Sequence, residues 1–216
     1  MKVDLHTHSI DSPDGGLTPE DYTNLFANGT FDCLAITDHN TIKLAHSLHT
    51  TLGDKVIVGE EISTSEGELI GLFLSRVIAP EQTARATAEA IKAQGGLVYI
   101  PHPFETVRAG LGSDSLQGIA DLVDIVEVHN GRALFQNRGP TAATWARLHH
   151  KVMAASSDAH GRKGIGTTYQ TLHELPTSRN LVALLSTGRL VTNRPPLRSL
   201  FYPKLHRLRR RLGRQS

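Results

Sequence analysis

Seven short apolar runs recur along this chain with helical patterns between them: Val3–Leu5, Cys33–Ile36, Val56–Val58, Leu69–Leu74, Leu97–Ile100, Ile125–Val128 and Val152–Ala155. Several are β-branched and apolar at successive positions, as a strand covered on both faces requires. Thr18-Pro19-Glu20-Asp21 opens a helix with a Thr cap and Pro in the first turn. Thr41–Leu52, Pro80–Gln94 (stopped by Gly95-Gly96), Phe135–His150 and Ser178–Leu185 carry the other helical spacings. Strands alternating with helices predict mostly parallel β/α units, and about seven of them can close a barrel. No Gly-x-Gly-x-x-Gly or Walker-type loop interrupts the pattern, which argues against a nucleotide-binding doubly wound sheet. The expected fold class is α/β, and in such barrels chemistry sits at the carboxyl ends of the strands.

Those ends carry the polar motifs. The first run leads into Asp4-Leu5-His6-Thr7-His8, followed by an acidic turn that includes Asp14. Further runs lead into Thr37-Asp38-His39-Asn40, Gly59-Glu60-Glu61-Ile62, Ile100-Pro101-His102-Pro103 and Ser156-Ser157-Asp158-Ala159-His160. Alternation along a strand puts i and i+2 on one face, so His6 and His8 point the same way. Imidazole suits Zn, Fe and Mn, and carboxylates suit harder ions. A lone histidine after a strand is usually a solvated loop residue. Five histidines and three carboxylates, each at a strand end, outline a multi-metal site instead.

In this order, the motifs resemble those of the PHP (polymerase and histidinol phosphatase) family of metal-dependent phosphoesterases, over roughly residues 1–195. The resemblance implies a distorted (β/α)7 barrel of PHP type with a short basic C-terminal tail. It assigns His6, His8 and Asp158 to one metal, and gives Glu61 as the carboxylate that bridges metals. Asp14, His39 and His160 resemble the ligands of a further ion, and His102 that of the remaining one. His129, in Glu127-Val128-His129-Asn130, belongs to the candidate set with two readings: a ligand, or a pocket-lining group that orients Asn130. Glu127 shares its face by strand alternation. Asp38 reads as a partner of a ligand or a turn cap, and Glu60 as an acid pointing elsewhere.

The implied reaction is hydrolysis of a phosphomonoester or phosphodiester at two or three Mn2+, Zn2+ or Fe2+ ions, with Glu61, Asp158 and His160 at the reacting centre. Clustered divalent ions neutralise the phosphoryl oxygens and lower the pKa of a bound water to about 7. Three carboxylates against three divalent ions leave a net positive pocket, which suits a phosphate dianion. Arg108 and Arg132 each follow a ligand motif and are the candidate phosphate clamps, since a guanidinium fork binds such oxyanions bidentately. The substrate would be a small phosphometabolite, nucleotide or short oligonucleotide. Two other readings stay open: a non-catalytic metal-binding regulatory module, and a nuclease that uses the tail for nucleic acid.

Eight of the 23 basic residues lie after residue 193 and none of the 21 acidic ones does, so an acidic body precedes a basic tail. Within residues 196–216, Leu205, Leu208 and Leu212 recur at helical spacing among Arg207, Arg209, Arg210, Arg211 and Arg214. Such a helix can lie on nucleic acid or an anionic membrane, or dock its leucines on the barrel and leave its arginines in solvent. Pro195-Pro196 marks the expected end of the barrel. The single Cys33 sits in an apolar run and reads as core. With one cysteine, no apolar leader and no long apolar span, the expected location is the cytoplasm.

Overall fold

The structure, a computed structural model, describes residues 1–133 and 136–213. Nine strands form one sheet: β1 (Lys2–Asp4), β2 (Cys33–Ile36), β3 (Val56–Thr64), β4 (Gly67–Leu72), β5 (Leu97–Ile100), β6 (Ile125–Asn130), β7 (Val152–Ser156), β8 (Thr168–Thr171) and β9 (Arg189–Thr192). Their spatial order is β7-β6-β5-β4-β3-β2-β1-β8-β9. The helices are α1 (Pro19–Ala27), α2 (Lys43–Leu52), α3 (Ala84–Lys92), α4 (Ser113–Gly118), α5 (Gly139–Leu148), α6 (Leu181–Thr187) and α7 (Tyr202–Gly213).

The α/β expectation holds, and the sheet curves into a nearly closed barrel. Its seam lies between β1 and β7. Thr7 bridges Ala159 in parallel, the His8 amide donates to the Ala159 carbonyl at 2.9 Å, and the Asp158 amide donates to the His6 carbonyl at 3.0 Å. The strands β1–β3 and β5–β7 pair in parallel as expected, but β4 runs antiparallel to both neighbours. It returns from β3 through the two-residue turn Ser65-Glu66, and Gly67 takes φ of 140°, where a Cβ would be strained. The β8–β9 hairpin extends the sheet beyond β1. Its segments TYQT and RLVT lack an apolar run, so periodicity did not mark them.

Local chemistry explains the helix starts. Thr18 accepts from the Asp21 amide and Asp21 from the Thr18 amide, a reciprocal capping box with Pro19 in the first turn. Thr83 caps α3 by accepting from the Ala86 amide. The helix expected from Phe135 begins at Gly139; Leu134 and Phe135 lie outside the described residues, as does Arg214.

The core has two layers. One packs helices against the outside of the barrel, with Tyr22, Leu34, Ile36, Ile62, Leu69 and Ile91 fully buried. The other fills the barrel around Leu5, Cys33, Ile70, Leu72, Tyr99 and Ile125. Burying each such side chain contributes roughly 1.5–3 kcal/mol. Cys33 is core, as expected, and burial pushes its thiol pKa up. No helix among the described residues is long and apolar enough to cross a membrane.

After Pro195-Pro196 a 3-10 turn over Leu197–Phe201 leads into α7. The tail docks the other way round from the leucine-inward arrangement. Arg207 Nη2 donates to Asp14 Oδ2 at 2.6 Å, and Arg210 donates to the Ile10 carbonyl. Leu205, Leu208 and Leu212 face solvent. The physical reason lies in the surface beneath: the buried Asp14 carboxylate at the barrel mouth attracts the cations of α7.

Candidate metal centre

Every strand from β1 to β7 delivers a polar group to one end of the barrel. His6 and His8 follow β1, with Asp14 in the turn beyond; His39 follows β2; Glu61 lies on β3; His102 follows β5; Asp158 and His160 follow β7. Side-chain ligand atoms fall into four overlapping groups, each within 4.8 Å: His6, His8 and Asp158; His6, Glu61 and His102; His8, Asp14, His39 and His160; and His39, Glu61 and Glu68. His6, His8, Asp14, Glu61, Asp158 and His160 are all at most 2% exposed. His102 and Asp158 also hold left-handed backbone, at φ of 29° and 51°. Such strain in a non-glycine residue persists only where surrounding structure imposes it.

The tightest convergence is between His6 and His8. Their Nε2 atoms stand 3.1 Å apart. Glu61 Oε2 lies 3.4 and 3.1 Å from them, and Asp158 Oδ1 lies 3.6 and 3.4 Å away. His6 donates Nδ1–H to Glu127 Oε1 at 3.2 Å, which fixes its tautomer and turns the Nε2 lone pair inward. His160 is set the same way, through Nδ1–H to the Asp158 carbonyl at 2.9 Å; its buried Nε2 has no hydrogen-bond partner. Buried imidazole lone pairs and carboxylates aimed at common points are the donor set of a divalent ion. The residues present therefore fit a metal cluster.

The charge balance points the same way. Burial disfavours ionisation of Glu61 and Asp158, yet both sit well below the usual carboxylate range. His39, His6 and His102 outweigh burial at Glu61, and Arg132, His6 and His8 do so at Asp158. Burial also opposes the His8 cation, but hydrogen bonds to Asp158 and Glu61 raise its pKa to about 9. His160 is the opposite case: burial, with the His8 and Arg132 charges, lowers it to about 3 and keeps it neutral.

Three placements depart from the expectations. Glu68, on β4, was not among the candidates. Strand pairing of Ser63 with Glu68 and Glu61 with Ile70 puts Glu61 and Glu68 on one face, 3.4 and 3.6 Å from His39 Nδ1. Burial and the Glu61 charge push the Glu68 pKa up. The two-residue turn was the available signal. Second, His129 falls in none of the four groups. A bulge between Glu127 and His129 pairs them with Ala154 and Ala155, which face opposite ways, so the shared-face expectation fails. Third, Glu127 orders the ligands from behind. Besides His6 it accepts from Tyr99 Oη at 2.8 Å, the His102 amide at 2.7 Å and Asn130 Nδ2 at 2.8 Å.

Asp38 accepts from the Ser9 amide and hydroxyl, and Glu60 turns away to the Ile78 amide. Arg108 donates from Nη1 to Asp158 Oδ2 and Asn130 Oδ1, both at 2.7 Å, and is held from its other edge by Glu105 Oε2. Arg132 Nη1 reaches Asp158 at 3.3 Å. The ligand groups open into a cavity of about 370 Å³ rimmed by Arg108, Arg132, Lys204 and Arg207, the last two from α7. A larger cavity beside His46 and Pro176 holds none of these groups.

No family model matches the chain. Among solved structures it superposes on a two-domain protein of Bacteroides vulgatus containing a predicted PHP-like metal-dependent phosphoesterase. That match has a TM-score of 0.72 and 18% identity, over 96% of this chain and 69% of the other. PsfC of Pseudomonas syringae matches with a TM-score of 0.61 and 14% identity, over 98% of both chains. An amidohydrolase of Chromobacterium violaceum matches with a TM-score of 0.61 and 16% identity, over 88% of this chain and 98% of that one. At these identities the likeness establishes a PHP-like fold. In sequence, the chain is 38% identical over 144 residues to uncharacterized protein MJ1587 of Methanocaldococcus jannaschii, covering 60% of this chain and 82% of that protein. It is 34% identical over 179 residues to uncharacterized protein MJ0417 of the same organism, covering 81% and 72%. The chain belongs to the protein family that includes MJ1587 and MJ0417.

Proposed function

We propose that this protein is a metal-dependent phosphoesterase, acting on a phosphomonoester or phosphodiester at a cluster of two or three divalent ions. The observation that carries the reading is the coincidence of four overlapping ligand groups with a rim of cations in one cavity. His6, His8 and Asp158, with Glu61 and His102, would hold one part of the cluster, and Asp14, His39 and His160, with Glu68, the other. Ions bound there supply charge neutralisation at the phosphoryl oxygens and an acidified water at neutral pH.

The protein's own groups do the rest. Glu61 and Asp158 are ionised and buried, so they keep the charge of the centre fixed. His160 Nε2, neutral and without a partner, presents its lone pair to the cavity. Arg108 and Arg132 both donate to Asp158 Oδ2 at the cavity rim, where their charges would favour a bound phosphate. A cavity of about 370 Å³ suits a small phosphorylated molecule or the end of a longer one.

The test is metal content after purification, followed by turnover of aryl phosphomonoesters and diesters with Mn2+, Zn2+ or Fe2+. His8→Ala and Asp158→Ala are expected to abolish turnover and metal retention while the fold persists. A parent protein that retains no metal and turns over neither ester class with any ion overturns the proposal.

A further inference from the structure

The outer face of α7 has the composition of a surface that meets lipid. Phe201, Leu205, Leu208 and Leu212 recur at helical spacing and are 63%, 38%, 55% and 61% exposed. Val77 and Leu148 are exposed on the body, whereas Val107 and Leu197, also exposed, line a cavity with Phe201 at the start of the stripe. At 100° per residue, Arg209 falls on one flank of this stripe and Lys204 and Arg211 on the other, and all three are exposed. The opposite face is held on the barrel by Arg207 at Asp14 and by Arg210 at the Ile10 carbonyl, with Pro203 buried beneath. The apolar stripe therefore cannot turn inward while those contacts stand.

We propose that α7 docks the protein on an anionic membrane surface, lying in the interface plane with Phe201, Leu205, Leu208 and Leu212 among the acyl chains and Lys204, Arg209 and Arg211 at the headgroups. A short helix with an apolar stripe between flanking cations is the form that lies at the boundary of headgroup and acyl chain. Three features favour lipid over other occupants. The stripe is a convex ridge, which a fluid surface accepts and a partner protein would have to meet with a groove. A second copy would bring the same cations against these cations. Nucleic acid would use the cations but leave the leucines in water. Docking this way also brings the rim of the metal cavity, which shares Lys204 and Arg207 with α7, close to the headgroup plane.

The experiment is co-sedimentation of the full chain with phosphatidylcholine vesicles, with and without phosphatidylglycerol, at low and high salt. Binding is expected to the anionic vesicles only and to fall with salt, by about fivefold for each flanking cation neutralised. Leu208→Glu and Leu212→Glu are exposed substitutions expected to leave the melting temperature unchanged and to lower partitioning at least tenfold each. Light scattering and an oligonucleotide shift run alongside. Equal binding to neutral vesicles, or none to either kind, overturns the proposal. So does a stripe-dependent dimer or stripe-dependent oligonucleotide binding without vesicle binding. None of these readouts depends on phosphoesterase turnover.

Discussion

Replacing Glu127 by Gln tests how much of the centre is built from behind the ligands. The carboxylate accepts four hydrogen bonds, from His6 Nδ1, Tyr99 Oη, the His102 amide and Asn130 Nδ2, at 2.7 to 3.2 Å and 2% exposure. Glutamine keeps the shape but offers one acceptor oxygen, and its amide nitrogen must face donors. Two hydrogen bonds to a charged group, at about 1.5–3 kcal/mol each, are therefore lost or reversed. Part of this is recovered by relaxation, so about 3 kcal/mol of destabilisation is expected, near the lower end for breaking a buried ionic contact. For a chain of this size that lowers Tm by roughly 6–12 °C. The His6 ring also loses its anchor, so metal affinity is expected to fall about 10–100-fold. Differential scanning calorimetry on metal-free protein gives the first number and calorimetric titration with Mn2+ or Zn2+ the second. A variant that melts within about 2 °C of the parent and binds metal equally well refutes the argument that Glu127 orders this site.

Three further outcomes are expected. Asp4 and Glu60 have pKa values raised by burial to about 7, and His8 is raised to about 9 despite burial. Stability carried by groups raised on folding is complete below their unfolded values and lost as pH rises through the folded ones. His160, lowered to about 3, works the other way up to its unfolded value near 6.5, so metal-free protein should lose Tm chiefly from about pH 6.5 to 9, whereas saturating metal, which needs deprotonated ligands, should flatten or reverse that slope. Glu68→Gln is expected to change metal-free Tm at pH 6 little, because burial and Glu61 already favour the neutral acid, while weakening or removing one bound ion in an elemental assay. A Cβ on Gly131 would stand 2.7 Å from the Ser157 carbonyl, so Gly131→Ala should displace the strand end bearing Asp158 and cost about 1–3 kcal/mol in urea unfolding.

The parts of the site legible in the sequence are those whose motif directly follows an apolar run. His6, His8, His39, His102, Asp158 and His160 each come within a few residues of such a run, and strand ends in a barrel share one rim. Glu68 was not legible this way because it opens a strand rather than ending one; only the reversal at Ser65-Glu66 carries it over the centre. The shared face of Glu127 and His129 fails for a different reason. Alternation assumes a regular strand, and one inserted residue in β6 exchanges the faces beyond it. In α7 the periodicity defined two faces but could not say which one the body would bind. That depends on the acidic groups around Asp14, which gather only once the barrel has closed.

The seam through His6 and Asp158 has a consequence for how this protein can fail. The backbone bonds that join the first strand to the seventh are made by His6, His8 and Asp158, the same residues whose side chains converge in the candidate metal centre, across some 150 positions of chain. Contacts of that span form late in folding, since loop closure must precede them. A nascent polypeptide that has not yet emerged past residue 157 lacks Asp158 and His160 and has an open sheet edge. The two candidate ligand groups that contain Asp158 or His160 are completed only when that seam closes, so a lesion on either side of the join disturbs both the topology and those groups.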